Sequence, residues 1–236
     1  MNRIDLCICS RENRSPRGIS NIPVKKLIIE NSKPIGLARQ RAIEKVTTPI
    51  FAFIDDDVRI PENWFHTMMR EMENSIIGAC YGLINYRFVL PVNSNQQRSE
   101  VKTGERFNTN NCLIRTELVK DWKPTIGLNC YEDLDLGQHI MSKGYRILRV
   151  PSKVIHEKTL LQYRRSGLWA GKNYKAAYRP NRSKHLTKYG RLLLEPGKQL
   201  LFKGIGNFVL CVWVNTFTIL GMVLADLQPE GVGAPV

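Results

Sequence analysis

The sequence predicts an α/β protein with a mostly parallel central sheet flanked by helices, then a C-terminal basic helical region and a membrane helix. Short apolar runs rich in β-branched and aromatic residues alternate with helical patterns, which is typical of such sheets. One run, residues 50–54, stops at three consecutive carboxylates. An uncharged stretch at 204–225 matches the roughly 20 residues that cross a bilayer.

Composition limits the classes of protein. A chain of 236 residues, 43% of them hydrophobic, can bury one large core. The net charge of +14 predicts an anionic partner: nucleic acid, an acidic membrane surface or a phosphorylated substrate. Six cysteines without a C-x-x-C pair favour a reduced, intracellular compartment. The N-terminus lacks an apolar stretch of the signal-peptide kind, so we expect the bulk of the protein on the cytoplasmic side.

The first elements in the chain are a strand, a loop, a second strand and a helix. Residues 4–10 and 24–30 read as strands, and residues 11–21 read as a loop because they are polar and contain turn-forming residues. A helix is predicted from Gly36. Arg39, in its first turn, opposes the helix dipole and favours an anion nearby, with a solvent-facing arginine as the equal alternative.

Residues 50–54 predict a strand buried on both faces. Because side chains alternate along a strand, Asp55 and Asp57 should point to one side and Asp56 to the other. Two carboxylates at the carboxyl end of a strand would hold Mg²⁺ or Mn²⁺, with a substrate diphosphate completing the shell. The alternative is an acidic turn with solvated side chains.

A helix is then predicted after Pro61, because Phe65, Met68 and Met72 recur at helical apolar spacing and indicate core packing. Residues 76–86 and 107–114 predict strands on either side of a polar stretch. Three asparagines in the second of these, Asn108, Asn110 and Asn111, would grip a hydroxyl-rich ligand or serve as turn formers.

A second acidic cluster opens a helix that runs to Lys143 and ends at Gly144. Glu132, Asp133 and Asp135 lie in its first turn. Negative charge there stabilises a helix by itself, so a structural role suffices to explain the cluster.

A strand at 145–150, ended by Pro151, is followed by a second short apolar run that leads to His156. The imidazole is a candidate metal ligand, although an isolated histidine more often is not one.

Basic and aromatic side chains dominate from residue 158 to residue 203. Such a mixture suits nucleic acid or the headgroup region of a membrane. The uncharged stretch at 204–225 favours the membrane, and the alternative is a buried or oligomerising helix. Because Lys198 and Lys203 precede that stretch and Asp226 follows it, the main domain should face the cytoplasm.

Taken together, these features resemble a family 2 glycosyltransferase with the GT-A fold, over about residues 4–174. The landmarks are Gly36 to Arg39, Phe53 to Asp57 followed by Pro61 and Trp64, Tyr131 to Leu136, and Gly144 to Ile147 ahead of His156. Their order and spacing are more specific than any single motif.

The resemblance implies roles for individual residues. Asp55, Asp57 and His156 would hold a divalent cation, Mn²⁺ or Mg²⁺, and Asp133 would be the catalytic base of an inverting transfer. The donor-binding candidates are Ser10, Arg11, Glu30, Arg39, Asp55 and Asp56. The acceptor-binding candidates are Glu132, Arg165 and Trp169.

Two departures from the family pattern limit what carries over. Residues 11–23 leave no room for the usual helix between the first two strands, and the turn after residue 30 lacks the usual Asp-Gly-Ser type, so the base-binding pocket is open. Ser166 stands where processive members have a tryptophan, which argues against polymerisation.

The predicted organisation follows from these features. A catalytic domain at 1–157, with a nucleotide-binding half at 1–90 and an acceptor half at 91–157, precedes a basic membrane-proximal region at 158–203. The membrane helix at 204–225 and a tail at 226–236 complete the chain.

The predicted function is transfer of a sugar from a nucleotide-sugar donor to a membrane-associated acceptor, either lipid-linked or another glycan. Two alternatives stay open: a polyprenyl-phosphate sugar synthase, whose phosphate acceptor needs no base, and a non-catalytic basic protein that binds nucleic acid. Nucleic acid is not expected as a partner under the leading hypothesis, and a homo-oligomer is left open.

Overall fold

The computed structural model describes residues 3–10, 14–86, 98–103, 105, 107–124, 132–157, 164, 167–168, 209 and 212–220. The chain forms two compact units. The first comprises Met1–Asn85, Asn95–Ile126 and Glu132–Glu157, and the second comprises Tyr86–Ser94, Gly127–Tyr131 and Lys158–Val236.

Among the described residues, the sheet has eight strands, and three α-helices flank it. The strands are β1 (Ile4–Cys9), β2 (Val24–Glu30), β3 (Ile50–Ile54), β4 (Val58–Arg59), β5 (Ile77–Tyr86), β6 (Ser99–Glu100), β7 (Asn111–Arg115) and β8 (Arg146–His156). The helices are α1 (Ile35–Lys45), α2 (Trp64–Met72) and α3 (Glu132–Ser142).

The sheet has the strand order β2-β1-β3-β7-β5-β8-β4, with β6 also paired to β8. Among the pairs whose direction is described, β1 is parallel to β2 and β3, whereas β7 is antiparallel to β3 and β5, and β8 is antiparallel to β4 and β6. The prediction of a mostly parallel sheet is therefore wrong. A strand covered by helices on both faces is apolar throughout whichever way its neighbours run, so hydrophobicity alone does not reveal strand direction.

Strand β3 lies at the centre of two apolar layers. Phe51 and Phe53 pack in one layer with side chains of α1 and α3, whereas Ala52 and Ile54 pack in the other with α2. This alternation confirms a strand buried on both faces. It also fixes where β3 ends, because Asp55 is the first residue of the run that no longer belongs to either layer.

Helix α2 buries Phe65, Met68 and Met72, as the apolar spacing predicts. Its Trp64 is fully buried and donates its indole N–H to Asn111 Oδ1 at 3.3 Å. Asn111 also accepts from the Gly82 amide and donates to the Gly82 carbonyl. The side chain of Asn111 therefore serves the core rather than a hydroxyl-rich ligand.

Strand β8 continues through Pro151, so the prediction that this proline ends the strand is wrong. β8 pairs with β6 at Leu148 and Arg149 and with β4 at Ile155 and His156. The described pairings of β8 with β6 and with β4 thus lie on either side of Pro151.

The loop before β2 is attached to β4 by its backbone. The Arg17 amide donates to the Val58 carbonyl at 3.1 Å, and the Ile60 amide donates to the Arg17 carbonyl at 2.9 Å. Gly18 follows with φ of +77°, and a Cβ there would lie 2.4 Å from the Ile60 carbonyl oxygen. The described residues between the first two strands, 14–23, form a loop with one short 3-10 turn at Ile19–Asn21 and no α-helix, in agreement with the sequence prediction.

In the second unit, residues 212–220 are helical. Gly167 lies against this helix, since a Cβ at Gly167 would be 2.8 Å from the Val214 carbonyl oxygen. Arg164 places its guanidinium carbon 5.8 Å from the centre of the Phe217 ring. Among the described helices, none combines the length and apolar character needed to cross a membrane. Most of the predicted span at 204–225 lies outside the described residues.

Candidate active site

A short turn at the carboxyl end of β3 carries the three consecutive aspartates. The Asp55 amide donates to the Asn110 carbonyl at 3.1 Å, which holds the start of the turn against the residue before β7. Three residues later the chain enters β4, whose Val58 lies opposite His156 of β8. This pairing brings the last residue of β8 beside the acidic turn.

Asp55, Asp57 and His156 converge at this point, and one potential ligand atom from each lies within 4.8 Å of the others. His156 is buried, and its Nε2 lies 2.7 Å from Asp57 Oδ1. Two carboxylate oxygens and an imidazole nitrogen are suitable donors for Mn²⁺ or Mg²⁺, with open positions left for a substrate. The three predicted metal ligands are therefore brought together, and their donor set fits a divalent cation.

Asp56 faces away from that cluster. The Ser10 hydroxyl, at the end of β1, donates to Asp56 Oδ2 at 2.5 Å, and the Arg14 amide donates to the same hydroxyl at 3.2 Å. Burial raises the pKa of the Asp56 carboxyl, the Ser10 hydrogen bond opposes that rise, and Asp57 and Asp55 add to it. Asp56 is thus separated from Asp55 and Asp57, as predicted, although the three residues lie in a turn rather than in an extended strand.

The start of α3 forms the second acidic group. Glu132 and Asp133 are buried, at 5% and 3% exposure, which is unusual for carboxylates and requires partners for both. Asp133 Oδ1 accepts from the Leu134 amide at 2.9 Å, whereas Asp135 Oδ2 accepts from the Trp122 indole at 2.9 Å. Asp135 thus anchors the helix to the core, and Gly144, with φ of +85°, follows its carboxyl end as predicted.

Arg39 supplies the positive charge in this region. Helix α1 begins at Ile35, so Arg39 lies just beyond the first turn and not within it as predicted. Its guanidinium is buried, forms an ion pair with Glu132, and lies 4.0 Å from Asp55 Oδ1. No local pattern in the sequence predicts a pairing between Arg39 and Glu132, because the two residues lie 93 positions apart.

The thiol of Cys112, in β7, lies near several of these charged groups. Burial raises the pKa of its thiol to about 12, with Asp55 and Asp133 adding to the rise and Arg39 and a backbone hydrogen bond from Phe53 opposing it. Asp55 and Asp133 therefore both lie near this buried thiol.

Other predicted site residues are placed differently or lie outside the described residues. Glu30 is buried in an ion pair with Lys45, and its second oxygen accepts from the Ser32 hydroxyl at 3.4 Å. Arg11, Arg165 and Trp169 lie outside the described residues. The roles of all these residues in binding donor and acceptor stay predictions.

Residues 14–128 match the model of Glycosyl transferase family 2. The matched range contains the acidic turn after β3 and ends before α3. No curated protein matches the chain.

Solved structures share the fold. The crystal structure of S. aureus TarS residues 1–349 matches with a TM-score of 0.51 at 11% identity, covering 95% of this chain and 90% of that one. A crystal structure of the same TarS fragment in complex with UDP gives a TM-score of 0.48 at 12% identity, with the same coverage. The first of these matches establishes similarity of fold alone.

The mixed sheet with flanking helices is like that of GT-A glycosyltransferases, and the acidic turn lies within the residues that the family model matches. The match of residues 14–128 to this family model indicates that the chain is a glycosyltransferase, and the fold agrees with that activity.

Proposed function

We propose that this glycosyltransferase transfers a sugar from a nucleotide-sugar donor to an acceptor hydroxyl, with a divalent cation at Asp55, Asp57 and His156 and with inversion at the anomeric carbon. The observation that carries the proposal is the convergence of these three side chains within 4.8 Å at the carboxyl end of β3. Ligands of open α/β sheets bind at this end of the strands.

The cation would neutralise the negative charge that grows on the departing nucleoside diphosphate. The fold holds in place the side chains that would bind this cation. Hydrogen bonding to Asp57 orients the His156 ring, and the pairing of β4 with β8 fixes the distance between the two backbones. Ser10 meanwhile holds Asp56 toward the end of β1, the side on which we expect the nucleotide.

Asp133 is the proposed base. The acceptor oxygen forms a bond to the anomeric carbon as the bond from that carbon to the diphosphate breaks, and the hydroxyl proton passes to the Asp133 carboxylate. A hydrogen bond from the Leu134 amide orients this carboxylate, and a single displacement with no covalent intermediate inverts the anomeric centre.

The proposed acceptor is a lipid-linked or other glycan at a membrane surface on the cytoplasmic side. Support for this comes from the basic and aromatic composition of residues 158–203 and the uncharged stretch that follows them.

The test is a panel of nucleotide sugars, each mixed with the full chain in Mn²⁺, in Mg²⁺ and in EDTA, with thermal unfolding as the readout. A ligand that binds only the folded state raises the midpoint. We expect one nucleotide class to raise it in either cation and to lose that effect in EDTA. Stabilisation that is equal in EDTA would contradict the cation, and no stabilisation by any nucleotide sugar would contradict the donor class.

A further inference from the structure

A single buried guanidinium faces two carboxylates in the active site. Arg39 pairs through one terminal nitrogen with Glu132 and lies 4.0 Å through the other from Asp55 Oδ1. The side chains of Arg39 and Glu132 are 6% and 7% exposed, whereas that of Asp55 is 28% exposed. Arg39 therefore has a close partner in Glu132 and a second, more distant one in a ligand of the proposed cation.

A guanidinium and a divalent cation compete for the same carboxylate oxygens. If Arg39 formed a full ion pair with Asp55, that carboxylate would be neutralised and its oxygens would be occupied. The cluster would then offer a cation one less negative charge. Close pairing with Glu132 instead cancels the charge of Arg39 without using Asp55.

The fold maintains this arrangement through close contact between α1 and the start of α3. A Cβ at Gly36 would lie 3.5 Å from Glu132 Cβ and 3.0 Å from Pro124 Cβ, so a larger side chain there would press on both neighbours. Arg39 lies three residues further along, on the same face of the helix. The guanidinium carbon of Arg39 also lies 5.8 Å from the centre of the Phe53 ring.

We propose that Glu132 is a positioning residue: it holds Arg39 away from Asp55 and so keeps that carboxylate available to the cation. This role replaces the predicted contact of Glu132 with the acceptor, and it rests on the cation site of the proposed function. Glu132 is not itself one of the three clustered ligand residues. Its effect on cation affinity would pass entirely through Arg39.

The test is Mn²⁺ binding to the purified full chain, with free Mn²⁺ counted by electron paramagnetic resonance. In Glu132→Gln the buried Arg39 loses its counterion and turns to Asp55, because an unpaired buried charge is costly. We expect Mn²⁺ affinity to fall by about 10- to 100-fold, the range for partners of metal ligands.

Removing Arg39 supplies the decisive comparison. Glu132→Gln combined with Arg39→Met should return Mn²⁺ affinity to within about threefold of the unmodified chain, because the competitor for Asp55 is gone. Arg39→Met alone should bind Mn²⁺ at least as tightly as the unmodified chain. Asp135→Asn is the matched control. It also removes a carboxylate from the first turn of α3, but this carboxylate accepts a hydrogen bond from the Trp122 indole.

Three results would overturn the inference. They are unchanged affinity in Glu132→Gln, a double variant that binds no better than Glu132→Gln, and weaker binding in Arg39→Met. If Glu132→Gln fails to fold, Arg39→Met still decides, because weaker Mn²⁺ binding in that variant overturns the inference and equal or tighter binding supports it. Failure of the proposed function looks different: the unmodified chain would then bind no Mn²⁺, or EDTA would leave its nucleotide-sugar binding intact.

Discussion

Three adjacent aspartates with the same side chain occupy different environments. Asp57 meets His156, Asp56 meets Ser10, and Asp55 lies 4.0 Å from the Arg39 guanidinium. The sequence predicted the division of the three but not the partners, because those partners come from strands and helices far along the chain. Their separate environments make each one individually testable.

Asp57→Asn should weaken cation-dependent binding of a nucleoside diphosphate by about tenfold or more, because an amide oxygen is a poorer ligand than a carboxylate. Isothermal titration with each common nucleoside diphosphate in Mn²⁺ measures the change. Asp121→Asn, an exposed carboxylate that bonds Lys143 and His139, is the control and should bind normally. Undiminished affinity in the Asp57 variant would remove this residue from the site.

Asp133→Asn should lower turnover by about 10²–10⁴ while donor affinity barely changes, because the amide keeps the shape but cannot accept the proton. Steady-state kinetics with the donor found in the nucleotide-sugar screen separate the two effects. Asp135→Asn is the control: it should cost stability through the lost Trp122 hydrogen bond, but not the chemical step. Near-normal turnover of Asp133→Asn would favour a phosphate acceptor, which needs no base.

Cys112 provides a test of pH dependence. Its folded-state pKa of about 12 lies above the value near 8.5 of an exposed thiol, so the folded protein keeps a proton that the unfolded chain releases. The contribution of this group to stability is complete below about pH 8.5 and declines as pH rises toward 12. Urea unfolding should show a free energy that falls over this window, and Cys112→Ala should make the fall shallower. An equally steep fall in that variant would assign it to other groups.

At the scale of elements, a lysine outside α1 completes the end of that helix. The Lys120 ammonium lies 2.7 Å from the Ile43 carbonyl oxygen and 2.8 Å from that of Val46. The Ile43 carbonyl also accepts the Val46 amide at 3.2 Å, so the ammonium adds a second hydrogen bond at the end of the helix, and the cation faces the negative end of the helix dipole.

Lys120→Met should therefore lower the free energy of unfolding by about 1–2 kcal/mol, whereas Lys123→Met, at an exposed position of the same loop, should change it by less than about 0.5 kcal/mol. Chemical denaturation of both variants measures the difference. Equal effects would show that Lys120 does not stabilise the end of α1.

The strands and helices were predictable where local pattern determines them. The apolar run of β3, the spacing in α2 and the glycine after α3 all depend on neighbours within a few residues. Strand direction and the continuation of β8 through Pro151 depend on which strand lies alongside, and no local pattern encodes that. The three members of the proposed cation cluster were predicted from motifs in their order along the chain, but the pairing of Arg39 with Glu132 joins two helices that the sequence does not place together.

At the scale of the whole molecule, the C-terminal third carries the predicted membrane attachment. A truncation ending near Tyr189 should leave the membrane fraction while the full chain stays in it. The truncation removes the uncharged stretch at 204–225 and the basic residues just before it, including Lys198 and Lys203. Fractionation of cells that express each form provides the measurement. Recovery of the full chain in the soluble fraction without detergent would contradict the attachment.

The contacts that build the active site span most of the catalytic domain. Asp57 meets His156 across 99 positions of sequence, and Arg39 meets Glu132 across 93. Closing loops of this length is slow compared with forming the helices, so the site should be among the last features to form as the chain folds. On the ribosome, a growing chain exposes the aspartates of the β3 turn long before their histidine is synthesised. Until residue 156 emerges, no part of the nascent chain can complete the cation cluster.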